Sequence, residues 1–249
     1  MYHRGAIDFL TQKLTVMKKE TDLNVTNPEV LSASLSRRNF LAFAGIGALG
    51  TTLVSLSSCK RDSGIMPDGT IDLGGGDIGI LNYAYALEQL EAAFYTKVAS
   101  SFYAGASADE ISRLTEIRNH EVAHREFFKN ALGSSAIPDL EVDFSSIDFN
   151  SRNSVLGTAK AFEDLGVSAY NGAGKLIANA DYLLLAGKIV SVEARHAAYI
   201  RDIISNGSFA DMEVVDANGL ELSRDPNAVL NIASTYLKSK LSAKNLPTS

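Results

Sequence analysis

Six side chains in this sequence have the types and spacing to hold metal ions: Glu88, Glu121, His124, Glu163, Glu193 and His196. Glu121-Val122-Ala123-His124 and Glu193-Ala194-Arg195-His196 are both Glu-x-x-His. Residues three apart on a helix share a face, so each segment can present a carboxylate and an imidazole to one ion. A lone glutamate precedes each segment, Glu88 by 33 residues and Glu163 by 30, and each is followed seven residues later by a tyrosine, Tyr95 or Tyr170. A single Glu-x-x-His is a weak signal, since Glu fills 13 of 249 positions and short motifs recur by chance. The doubled, register-matched set is a strong one.

Four carboxylates in one apolar interior repel each other and are costly to desolvate unless compensated. Divalent cations are the natural compensation, and oxygen ligands with two imidazoles suit a pair of iron or manganese ions, with zinc able to occupy the same set. The single cysteine, Cys59, excludes an internal disulfide framework and any multi-cysteine zinc or iron-sulfur site. Tyr95 and Tyr170 can donate hydrogen bonds to ligand carboxylates, or simply pack in a helical seam. Glu91, one turn from Glu88, reads as a partly solvated group with an alternate-ligand role as the second option. His120 points roughly 100° away from Glu121 around a helix and reads as a surface residue. Asp68, Asp72 and Asp77 lack the spacing of a calcium loop.

Positioning the six residues requires helices. Four segments alternate apolar positions at intervals of three and four, about Ile80 to Ala99, Ala108 to Leu132, Ser151 to Ala178 and Asp181 to Ser205. Each places its glutamates or Glu-x-x-His on the apolar stripe near mid-helix. Asp77 and Ser107 stand where caps belong. Short links make the first two and the last two antiparallel hairpins. Between them Gly133 to Asn150 holds Pro138 and several acids with little periodicity, a crossover long enough to run the length of a bundle. Asp225-Pro226 opens a short final helix reaching about Leu241. The fold class expected is an all-α four-helix bundle with a long crossover between helices 2 and 3.

Two lone Glu and two Glu-x-x-His on four helices resemble the ferritin-like di-iron and di-manganese carboxylate proteins. Through Leu87-Glu88-Gln89-Leu90-Glu91-Ala92-Ala93-Phe94-Tyr95 and both Glu-x-x-His segments, the chain is similar to the bacterial secreted ferritin-like domain family that includes desiccation-related proteins. The resemblance covers about residues 78–241. It implies metal ligation by Glu88, Glu121, His124, Glu163, Glu193 and His196, with Glu121 and Glu193 as bridges.

The first sixty residues read as an address. Ser36-Arg37-Arg38-Asn39-Phe40-Leu41 and the mildly apolar run from Ala42 to Leu56 resemble a twin-arginine export signal. The run is shorter than the roughly 20 residues a membrane-spanning helix needs. Leu56-Ser57-Ser58-Cys59 resembles a lipobox, which implies a lipid on Cys59 and a membrane-anchored product. Met17 offers a second start besides Met1. On this reading residues 1–58 are the signal region, 59–77 a Gly-rich flexible tether, 78–241 the ferritin-like domain and 242–249 a tail. Residues 59–249 carry 17 basic against 25 acidic side chains, a balance of −8, so membrane attachment would come from the lipid rather than from charge. The whole chain, at −6, has no basic footprint for nucleic acid.

These readings point to an exported redox or stress-protection protein acting on dioxygen, peroxide or ferrous iron, with ferroxidase and catalase-like activity both open. Iron storage and a non-catalytic structural or stress module are the alternatives. Native metal, substrate and oligomeric state stay open at this point.

Overall fold

A computed structural model of the protein describes residues 64–248; Arg37, Arg38 and Cys59, and with them the export signal and lipidation site read from the sequence, lie outside the described residues. Four long helices, α1 (Gly76–Ser100), α2 (Ala108–Leu132), α3 (Arg152–Gly174) and α4 (Ala180–Ile204), form the body of the molecule. They pack as two hairpins, α1 with α2 and α3 with α4, and the hairpins meet chiefly through α1 and α3. This is the all-α bundle with a long crossover expected from the periodicity. Among the described residues no helix is long and apolar enough to cross a membrane.

Local sequence explains where the helices begin. Ser107 accepts from the Glu110 amide while the Glu110 carboxylate accepts from the Ser107 amide, a reciprocal cap that fixes the start of α2. Asn179 caps α4 through the amides of Asp181 and Tyr182, and Ser151 caps α3 through Ser154. The expected cap at Asp77 is a correction. Helix α1 starts behind Gly75 with no side-chain cap, and the Asp77 carboxylate instead accepts from the amides of Ala178 and Asn179 at 2.8 and 2.9 Å. It ties the turn between α3 and α4 to the first turn of α1.

The helices bury their surfaces unequally. Helix α2 buries one stripe, Leu114, Ile117, Glu121, Phe128 and Leu132, and α4 a similar one through Ile189, Glu193, His196 and Ile200. Helix α1 is buried nearly all round, because the crossover lies along its outer side. Asn82 donates to the carbonyls of Leu73 and Ser135 and accepts from the Ile137 amide; two turns later, Gln89 accepts from the Leu140 amide and donates to the Pro138 carbonyl. Phe144 and Phe149 of the crossover then close edge-on and tilted against Phe94. Two amides and an aromatic cluster thus hold a segment whose regular structure is limited to a 3-10 turn at Gly133–Ser135 and a bridge from Val142 to Leu237.

The final helix is shorter than its sequence suggests. Helix α5 (Pro226–Ala233), capped by Asp225, packs on α3 and gives way to a 3-10 turn at Ser234–Tyr236. The chain then extends, and β2 (Leu241–Ser242) pairs in parallel with β1 (Ile71–Asp72), Ile71 opposite Leu241. The segment read as a tether is therefore held over residues 64–75. Leu73 is fully buried, and Asn245 donates to the Asp72 carboxylate at 2.6 Å.

Candidate metal centre

Each helix brings its share of the six residues to one level of the bundle interior. Glu88 comes from α1, Glu121 and His124 from α2, Glu163 from α3, and Glu193 and His196 from α4. The four glutamates are completely buried. The donor atoms fall into two groups, Glu88, Glu121, His124 and Glu193 in one, and Glu121, Glu163, Glu193 and His196 in the other, with all atoms of a group within 4.8 Å of one another. Glu121 and Glu193 belong to both.

The distances give the partition atom by atom. His124 Nδ1 lies 2.8 Å from Glu193 Oε1, 3.4 Å from Glu88 Oε2 and 3.6 Å from Glu121 Oε2. His196 Nδ1 lies 2.9 Å from Glu121 Oε1, 3.5 Å from Glu163 Oε2 and 3.5 Å from Glu193 Oε2. Each bridging carboxylate thus sends one oxygen to each group. None of these eight atoms has a hydrogen-bond partner despite the short separations. Atoms aimed at a shared third centre behave this way. Two ligands bound at right angles to one ion with bonds of about 2.1 Å would sit roughly 3 Å apart, the spacing found here. Leaving eight such atoms buried without partners would otherwise be costly, so the residues fit a pair of cations.

The remaining oxygens of the lone glutamates are held crosswise. Tyr95, on α1, donates to Glu163 Oε1 on α3 at 2.5 Å, and Tyr170, on α3, donates to Glu88 Oε1 on α1. Each lone glutamate therefore gives one oxygen to a tyrosine and turns the other inward. The repeat seen in the sequence becomes an approximate two-fold relation in space, and the two tyrosines serve the carboxylates besides packing.

Electrostatics follow from crowding. Burial, with the Glu193 charge second, holds Glu88 and Glu121 above the usual carboxylate range, and burial pushes Glu163 up to about 7. Burial acts on Glu193 in the same sense, but its contacts with His124 and His196 dominate and draw it down to about 2. Burial also opposes charge on the imidazoles, yet the surrounding carboxylates raise His124 to about 12 and raise His196 likewise. The raised imidazoles offset part of the carboxylate charge.

Two neighbours differ from their sequence reading. Glu91 is buried at 4% exposure rather than partly solvated; its Oε1 lies 3.0 Å from where a Cβ on Gly166 would stand, so a side chain there would crowd it. Burial, then the Glu193 charge, holds its carboxyl well above the usual range. His120 is exposed as expected, but its ring stacks on His196, 5.1 Å between centroids and 7° between planes, with Nδ1 2.9 Å from His196 Nε2. A contact from α2 to α4 has no signature in the periodicity of either helix.

The model of the ferritin-like domain matches residues 76–206, from the first residue of α1 to two residues past α4 and just over half of the chain. No curated protein matches the chain.

Proposed function

Because the chain belongs to the ferritin-like domain family, we propose that its buried cluster holds two iron or manganese ions and that the protein is an exported redox protein of oxidative-stress defence. The observation that carries this is the division of eight partnerless buried ligand atoms into two sets joined by Glu121 and Glu193. One ion would be held by Glu88 and His124 and the other by Glu163 and His196, with Glu121 and Glu193 available to both. A closed zinc site is built mainly from cysteine and histidine, whereas this carboxylate-rich set favours iron or manganese.

A pair of such ions supplies two one-electron changes at a single place, which suits dioxygen or peroxide as oxidant and ferrous iron as a further electron source. The protein's own groups prepare the site for this. Tyr95 and Tyr170 fix one oxygen each of Glu163 and Glu88 and so would leave each carboxylate a single oxygen to offer a metal. The bundle core around them excludes bulk water. Their hydroxyls keep their protons, since burial raises both tyrosines well above the ordinary phenol range.

Export by the twin-arginine route and anchoring through a lipid on Cys59 complete the proposal, supported by Arg37, Arg38 and Leu56 to Cys59 in the sequence. Passage in a folded state would let the metals be loaded before export.

The test is metal analysis of the Cys59–Ser249 product with ferrous-oxidation and peroxide-consumption assays, repeated on Glu163→Ala. About two ions per chain are expected in the wild type, with loss of occupancy and turnover in the variant. A wild type without bound iron or manganese, or a variant unchanged in both respects, removes the reading.

A further inference from the structure

One end of the bundle gathers four exposed apolar side chains. Helix α1 begins there, the α3–α4 turn is tied to its first turn through Asp77, and the β1–β2 pair leads into it with Leu246 against Gly79. Ile65 lies before β1, Ile78 in the first turn of α1, and Leu183 and Leu184 in the opening turns of α4, each 40–60% exposed. The opposite end exposes Ile111 and Ile204, so exposure alone does not choose between the ends. The entry of the chain does. Only four residues, 60–63, separate Cys59 from Gly64, and such a stretch spans at most about 18 Å. Helix α1, with 25 residues, is about 37 Å long, twice that reach.

We propose that this end of the bundle rests in the headgroup layer of a phospholipid bilayer, with Ile65, Ile78, Leu183 and Leu184 entering the interface. The inference rests on the lipid anchor at Cys59 proposed above. A lipid there holds Gly64 within about 18 Å of the bilayer surface, so the end that carries Gly64 meets the headgroups and the end with Ile111 and Ile204 is turned away. Tethering on so short a stretch gives the contact a high effective concentration. Four apolar side chains entering the interface then fix the orientation without a large buried area. Charge neither drives nor opposes the contact. Lys175, Lys240 and Lys244 at this end, with Lys60 and Arg61 beside Cys59, are matched in number by Asp62, Asp68, Asp72, Asp77 and Asp181. The occupant is therefore the apolar–polar boundary of a bilayer rather than a strongly charged partner. Glu88 lies twelve residues into α1, so docking holds the buried cluster roughly 18 Å beyond the contact.

The test is hydrogen exchange on the lipidated Cys59–Ser249 protein in vesicles of phosphatidylethanolamine and phosphatidylglycerol, with the unlipidated Cys59→Ser protein in buffer as the reference. Amides around Ile65 and Leu184 should exchange about tenfold more slowly on the vesicles, while those around Ile111 and Ile204 keep their rates. Ile65→Glu combined with Leu184→Glu should restore the reference rates at both places, with the protein still held on the vesicles by its lipid. Leu183→Ser with Leu184→Ser stands in if a charge at Ile65 disturbs β1. Slowing at the Ile111 end, or at neither end, overturns the docking. Slowing in the Cys59→Ser protein that grows with its concentration and needs no vesicles assigns this end to a second copy of the chain, and overturns it as well. A Cys59 without lipid, by mass spectrometry of the exported protein, overturns the anchor itself, which separates that failure from the others.

Discussion

His120 shows how a single exposed side chain can reach a buried centre. His196 turns Nδ1 toward three carboxylates, so its remaining proton belongs on Nε2, where it donates to His120 Nδ1 at 2.9 Å. Metal-bound imidazoles are oriented by what their other nitrogen meets, and losing that partner weakens metal binding by about 10–100-fold. Among the described residues His124 Nε2 has no such partner, so the two halves of an otherwise repeated centre are unequal. Replacing His120 by Phe keeps a ring to stack on His196 and removes the acceptor. Manganese titration of the metal-free His120→Phe protein by calorimetry should show one ion weakened by about 10–100-fold and the other unchanged, with partial recovery in His120→Gln. Equal weakening of both ions, or of neither, would show that the histidine contact does not orient the ligand. Glu91 is the companion case: a buried carboxyl with no hydrogen bond among the described residues, accommodated by the missing side chain of Gly166.

Among the elements, α3 is the one most constrained by what crosses it. The Arg224 amide donates to the Ser168 carbonyl and the Arg224 guanidinium to the Ser168 hydroxyl, while Asn171 donates to the Leu222 carbonyl. A Cβ on Gly172 would stand 1.8 Å from the Arg224 carbonyl oxygen, so this glycine is where the returning chain touches the helix. In an open helix Gly→Ala stabilises by about 1 kcal/mol. Here the sign reverses, and Gly172→Ala should destabilise by about 1–3 kcal/mol through displaced backbone, read from the denaturation midpoint; a midpoint that rises would place Arg224 elsewhere. The four long helices and the six inward residues were legible in the sequence because both depend on periodicity along one helix. Helix α2 was read over its full span, since Ser107 and Gly133 mark its ends chemically. What escaped depends on contacts between distant segments. Asp77 looked like a cap and instead holds the α3–α4 turn, the terminal helix gave way to a strand paired with Ile71–Asp72, and His120 meets His196 only because α2 and α4 face each other.

At the scale of the whole molecule, the proposed metal centre would couple folding to both pH and metal. In the metal-free protein Glu163 rises from 4.5 to about 7, and Glu88, Glu121 and Glu91 are raised as well, in each case through burial first. A carboxyl raised on folding binds more protons folded than unfolded, so stability falls as pH climbs from about 4.5 through the folded value. His124, raised from 6.5 to about 12, acts in the same sense: its contribution is complete below 6.5 and is lost as pH rises toward 12. Glu193, lowered to about 2, contributes above 4.5 and loses that only in stronger acid. His120, held below 6.5 by burial and by its imidazole neighbours, runs the other way, but it is one group against four carboxyls. The metal-free protein should therefore lose thermal stability between pH 5 and pH 7. Metal binding has the opposite dependence, because the ligands must shed their protons to bind and affinity rises with pH. At metal concentrations near 100 times Kd, each ion adds about 2.7 kcal/mol, and each kcal/mol moves the midpoint of a domain of this size by about 2–4 °C. Scanning calorimetry with manganese and with chelator should show a gap of order 10–20 °C at pH 7 that narrows toward pH 5. A chelated protein whose midpoint holds level or climbs from pH 5 to pH 7 would mean that the buried carboxyls are not what the metals relieve.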